Sequence, residues 1–143
     1  MYYDIYNIEE KKYHDPKLCF EYLKYLYNKG PKSQALDFLK KFIVEQESNP
    51  HISAYYLTLA NWQRVNISNN FESPEFAEII QNIKTATQID PKQTKAWHKW
   101  GIVNFEALTY YERHKQHEKA EEHVDFAIDG FVQSLSLNPQ RSL

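Results

Sequence analysis

Glycine is scarce: three occur in 143 residues, at positions 30, 101 and 130. Neither GxGxxG nor GxxxxGK(S/T) is present, which excludes nucleotide binding of the usual loop-and-helix kinds. A single cysteine, Cys19, excludes an internal disulfide framework and a thiolate zinc site. In the run Leu18-Cys19-Phe20 it reads as a small buried hydrophobe rather than a reactive thiol. No apolar stretch reaches about 18 residues, so nothing reads as a membrane span. The N-terminus carries early acids and no small-residue cleavage site, unlike a secretory signal. Seventeen basic against nineteen acidic residues give a net charge of -2, against a basic nucleic-acid binder or an acidic disordered tail. A soluble, intracellular chain with one core is the expectation.

Aromatic residues are abundant: Phe, Trp and Tyr together number twenty-two. Proline marks the segment boundaries at Pro16, Pro31, Pro50, Pro74, Pro91 and Pro139. Between them, apolar residues recur at three- and four-residue steps. The spacing gives Leu18, Tyr22, Tyr25 and Leu26 in the first segment, and Ala35, Phe38, Leu39, Phe42 and Ile43 in the second. It gives Ile52, Tyr55, Tyr56, Leu59 and Trp62, then Phe76, Ile79, Ile80, Ile83 and Ala86. The last two sets are Ala96, Trp97, Trp100, Val103 and Leu108, and Val124, Ala127, Ile128, Phe131 and Leu135. Six helices and no strand are expected, the last starting near His123. Asp15-Pro16 and Ser73-Pro74-Glu75 read as helix starts. Asn49-Pro50, Asp90-Pro91 and Asn138-Pro139 read as closures of helices two, four and six.

The helices pair at about 16–46, 51–89 and 92–137, and the pairs resemble tetratricopeptide repeats. Ala127, Phe131, Ser134 and Pro139 keep that repeat's spacing, as do Ile79, Ile83, Ala86 and Pro91. Between Gly101 and Ala127 lie about fourteen residues more than the repeat allows, near the polar run YERHKQHEKAEEH. A second insertion covers Asn66 to Ser73. The expected fold is all-α: a short right-handed α-solenoid of three degenerate repeat-like helix pairs. Gly101 and Ala60 would be small because the paired helix crosses there, and Ala86 and Ser134 because the next repeat packs on them. Trp97, Trp100, Phe105 and Phe131 would form the core of the last pair. The aromatic N-terminus, with Tyr2, Tyr3, Tyr6 and Tyr13, reads as a partial extra helix or a piece of a larger solenoid, the second being favoured.

Chemistry-bearing clusters are few. His114, His117 and His123 could share a metal, but the surrounding polar residues favour a solvated helical spur, and the order is not HExxH. His98 reads as a packed residue rather than a catalytic one. Lys92, Lys95 and Lys99 would share one helix face, as a phosphate grip or as an ordinary wet face. No nucleophile or base stands out.

The run Thr94-Lys-Ala-Trp-His-Lys-Trp-Gly-Ile-Val-Asn-Phe-Glu-Ala-Leu108 resembles the KAWHxWAxxNFE stretch of the FAT domain of target-of-rapamycin (TOR) kinases. Gly101 stands where that family usually has Ala. Residues 14–27 look like the family's HPxVxYAYMKxxW helix, Leu57 to Gln63 like its LKLGEWQ helix end, and Ala127 to Leu137 like AVQGFFRSIxLS. The resemblance covers residues 14–143. Its motif positions include Lys95, Ala96, Trp97, His98, Trp100, Asn104, Phe105, Glu106, Trp62, Gln63, Gly130 and Phe131. It implies a non-catalytic scaffold segment of a TOR-type Ser/Thr kinase that clasps the kinase domain in nutrient and growth signalling. Its partners would be the rest of the FAT and kinase domains and the proteins of a TOR complex, with no nucleic acid and no membrane insertion. Its place would be the cytoplasm, or an endomembrane surface through partners. The resemblance makes the chain a fragment, a truncated product or an incomplete gene model, with no cofactor unless Lys95 contacts inositol hexakisphosphate. The alternative is a free-standing repeat adaptor binding a protein partner. A small metal- or nucleotide-dependent enzyme lacks every motif it needs.

Overall fold

The computed structural model describes residues 15–138, and these residues hold six helices and no strand. The expected all-α class is what is seen. The expectations for Tyr2, Tyr3, Tyr6, Tyr13 and Pro139 lie outside the described residues. The described residues divide into two compact units, 15–52 and 53–138.

In the first unit, α1 (Pro16–Lys29) and α2 (Lys32–Glu45) form a hairpin. Asp15 caps α1 by accepting from the backbone N–H of Lys17 and Leu18, with Pro16 at the first helical position. Lys32 closes the turn: its Nζ donates to the Tyr27 carbonyl at 2.7 Å and sits 4.1 Å from the Tyr27 ring centroid. Phe20 near the start of α1 stacks on Phe42 near the end of α2, so the two helices run antiparallel. On α2 the buried residues are Ala35, Leu39, Phe42 and Ile43, which follow the expected spacing. On α1 they are Leu23 and Leu26. Leu18 and Tyr25, expected on the core face, are exposed. Leu26 is buried and Tyr22 half-buried as expected, but α1 is apolar on more than one side, so periodicity alone placed Leu18 and Tyr25 inward and passed over Leu23. Cys19 is half-buried rather than buried. α2 ends at Glu45, four residues before Asn49; Asn49 serves the next helix instead, its Oδ1 accepting from His51 N.

The second unit holds α3 (Ile52–Ile67), α4 (Pro74–Ile89), α5 (Thr94–Arg113) and α6 (His117–Leu137). Ser53 Oγ donates to the Ala86 carbonyl at 2.8 Å, and Gln63 Nε2 to Glu78 Oε1 at 2.6 Å. The first contact joins the start of α3 to the end of α4 and the second does the reverse, so these helices are antiparallel. Gln63 is fully buried, and its Oε1 accepts from Asn82 Nδ2, so both ends of the amide are satisfied. Ser73 caps α4 and Asp90 ends it, as expected from their Pro-flanked positions. Trp97 Nε1 donates to the Pro91 carbonyl and pins the turn into α5. Ile79, Ile83, Val103 and Ala107 are fully buried at the centre, surrounded by Phe71, Phe76, Trp100 and Tyr111. Each such Ile or Val contributes about 1.5–3 kcal/mol by leaving water.

The extra residues between Gly101 and Ala127 do not make a separate spur. They lengthen the hairpin: α5 has 20 residues and α6 has 21, against 16 in α3 and in α4. α6 starts at His117, not near His123. The turn between them needs Lys115 in the left-handed region, at φ 58°.

Candidate functional site

α5 carries the KAWHKWGIVNFE run, and the structure sorts its residues into two groups. Ala96, Trp100, Gly101, Val103 and Asn104 are buried. Ala96 packs with Leu57 and Ala86. His98 is half-buried, its ring edge-on to that of the half-buried Phe131 with the centroids 6.1 Å apart. Asn104 is fully buried and joins both helices: its Nδ2 donates to the Trp100 carbonyl at 2.8 Å, which leaves Oδ1 towards His123 Nδ1 at 2.7 Å. An amide oxygen only accepts, so His123 Nδ1 carries the proton. His123 lies almost flat on Tyr111 (5.8 Å, 19°) and against Phe76. Burial pushes its pKa below 6.5, against a weaker upward pull from Glu122. Tyr111 donates to the Phe71 carbonyl at 3.2 Å, and burial raises its pKa.

Other residues of the run face water. Lys95 is exposed in the first turn of α5. Lys92 lies in the preceding turn and not on the helix, so the expected three-lysine face is reduced to Lys95 and Lys99. Phe105, expected in the core, is 53% exposed, whereas Trp100 is 6% exposed. Glu106 pairs with Arg64 of α3 at 3.0 Å. Trp62 is buried, and Gln63 beside it is committed to α4 rather than to the α5 motif.

The three histidines do not converge. His114 Nδ1 meets the Tyr110 carbonyl, His117 Nδ1 meets Glu112, and His123 faces Asn104. His123 is therefore part of the hairpin interior and not of a solvated spur. Among the described residues no three His, Cys, Asp or Glu side chains are grouped to hold a metal. No helix among them is long and apolar enough to cross a membrane.

Sequence reasoning missed a groove of about 850 Å³, open to solvent between the end of α3, the following loop and α5. Arg64 builds it. Its Nη1 donates to the Ser68 carbonyl at 2.6 Å, and its guanidinium lies 4.6 Å from the Phe71 ring centroid. Ser68 takes φ 53° to turn the chain there. Below the groove, Glu72 links the loop to α6: it accepts from Gln116 at 3.0 Å, and that bond, with Lys119 beyond it, lowers its pKa. The sequence signal was indirect, the 66–73 insertion, because the Arg64–Glu106 pairing spans 42 positions.

The FAT domain profile matches residues 3–143. The serine/threonine-protein kinase tor1 of Schizosaccharomyces pombe is 25% identical over 96% of this chain and 7% of its own length. The serine/threonine-protein kinase TOR of Oryza sativa subsp. japonica is 32% identical over 61% of this chain and 4% of its own length. That of Arabidopsis thaliana is 26% identical over 90% of this chain and 6% of its own length. The chain thus spans less than a tenth of these relatives. It belongs to the FAT domain family, in the form carried by TOR serine/threonine-protein kinases.

Proposed function

We propose that this chain is a non-catalytic scaffold segment of a TOR-type Ser/Thr kinase, clasping the kinase domain and supporting growth signalling in the cytoplasm. Its helix pairs, at about 16–46, 51–89 and 92–137, act as repeat-like units of a solenoid. Its partners are the remaining FAT and kinase domains and the proteins of a TOR complex. The observation that carries the reading is the FAT domain match over residues 3–143. The division of the KAWHKWGIVNFE run into a buried set and an exposed set supports it, because a scaffold needs one face to fold on and another to present. A stacked-helix scaffold also explains why fully buried polar side chains such as Gln63 and Asn104 bond between helices.

The test is a chimera in which this chain replaces the matching segment of the fission yeast relative. A glycine-serine segment of equal length is the control. Phosphotransfer per immunopurified molecule should be kept by the chimera and lost in the control. A well-expressed chimera as inactive as the control would contradict the scaffold role. The second reading, a free-standing adaptor, is favoured only by the open groove, whose walls come from α3 and α5.

A further inference from the structure

Phe105, Thr109 and Arg113 stand four residues apart on α5 and line the groove as one stripe. The groove is also lined by Phe71 and Ile67, which are buried, while Phe105 is the large apolar side chain left in water. Tyr110 and His114 stack at 4.1 Å and 28°, a flat aromatic wall at the Arg113 end.

The charges in the groove are unbalanced. Glu106 is its one acidic lining residue, and that carboxylate is taken by Arg64 at 3.0 Å. Arg64 is itself fixed by the Ser68 carbonyl and the Phe71 ring. This pair is neutral in sum and part of the wall. Arg113 is exposed, and its guanidinium makes no ion pair or hydrogen bond among the described residues. The groove therefore offers an apolar floor, an exposed phenyl ring and one unmatched cation, in a chain whose net charge is -2.

We propose that this groove docks an extended acidic segment of a partner protein, with an apolar side chain packed on Phe105 and a carboxylate paired with Arg113. This goes beyond the scaffold reading and stands without it. Phe105 and Arg113 are eight positions apart on the helix, a rise of about 12 Å. An extended peptide covers that distance in about four residues. The segment thus carries an aliphatic or aromatic residue and, about four residues later, Asp or Glu. A nucleic acid is a poor fit, because one unmatched cation cannot balance a row of phosphates.

The probe is a blocked, fluorescein-labelled peptide with phenylalanine followed about four residues later by two glutamates, in a serine-glycine background. Its anisotropy is titrated with the full 143-residue chain. Saturable binding is expected. Phe105→Ala and Arg113→Glu should each weaken it by about tenfold or more, as truncated anchors do. Both side chains are exposed, so circular dichroism of the variants should match the parent. A peptide with lysines in place of the glutamates should bind Arg113→Glu better than the parent chain. Absence of saturable binding, equal binding by the lysine peptide to the parent, or indifference to both substitutions would overturn the proposal.

Discussion

Gly130 of α6 lies so close to Gly101 of α5 that a Cβ built on Gly130 would stand 2.6 Å from the Gly101 Cα and 2.7 Å from the Trp97 carbonyl oxygen. Both obstacles are backbone, so no side chain can swing aside. The converse is milder: a Cβ on Gly101 meets Phe131 at 3.0 Å, partly at ring atoms. Gly130→Ala should therefore cost about 3 kcal/mol or more, although alanine's helix propensity alone would gain about 1 kcal/mol. Gly101→Ala, the residue usual in the resembled motif, should stay within about 1 kcal/mol of the parent. Guanidinium midpoints of the two variants check the order, and the reverse order would show that the helices do not cross here.

Trp100 and Phe105 sit on one helix with opposite exposure. Trp100→Ala should cost about 3–5 kcal/mol, enough to unfold a marginal unit. Phe105→Ala should change stability by less than about 0.5 kcal/mol. Thermal unfolding of both variants distinguishes them; a large loss from Phe105→Ala would place that ring in a core.

His123 makes stability depend on pH. Its pKa is lowered in the fold from 6.5, chiefly by burial, so below 6.5 the unfolded chain binds more protons. The contribution is fully present above 6.5 and is lost as pH falls through the lowered value. The groups facing the ring are Asn104, Tyr111 and Phe76, with Glu122 the nearby charge. His123→Gln should unfold with a flatter pH profile between pH 7 and pH 5, at about 1–3 kcal/mol lower stability at neutral pH if the Asn104 bond is lost with the ring packing. Parallel profiles for the two proteins would show that His123 is in water.

On α6, Phe126, Ile128, Val132 and Leu137 are all exposed. Such apolar exposure favours contact with another surface. The isolated chain should self-associate in sedimentation velocity as concentration rises through the micromolar range. Val132→Glu should shift it toward monomer. A parent chain that stays monomeric at high concentration would contradict this.

Helices two and four could be read from the sequence because most of their apolar residues keep to one stripe and because Ser73 and Asp90 fall beside prolines. The stripe on α1 could not, since Phe20, Tyr22, Leu23, Tyr25 and Leu26 are apolar on adjoining faces and only packing decides among them. The start of α6 was hidden for another reason. Its turn uses Lys115 with positive φ, and no side chain of Gln116 caps the helix, so neither glycine nor a capping residue marks it. The KAWHKWGIVNFE run was plain, but burial of Trp100 and exposure of Phe105 depend on how α6 crosses α5. The groove rests on Arg64 and Glu106, which nothing local in the sequence relates.

The central claim is that these residues work as part of a TOR-type kinase. The most direct measurement is immunoprecipitation from the source cells with an antiserum raised against this chain. Size is read by immunoblot, and phosphotransfer from labelled ATP in the precipitate. A polypeptide many times larger than 17.1 kDa, with kinase activity retained through stringent washing, is the predicted result. A single 17.1 kDa species with no associated kinase would contradict the claim and leave the free-standing adaptor as the better account.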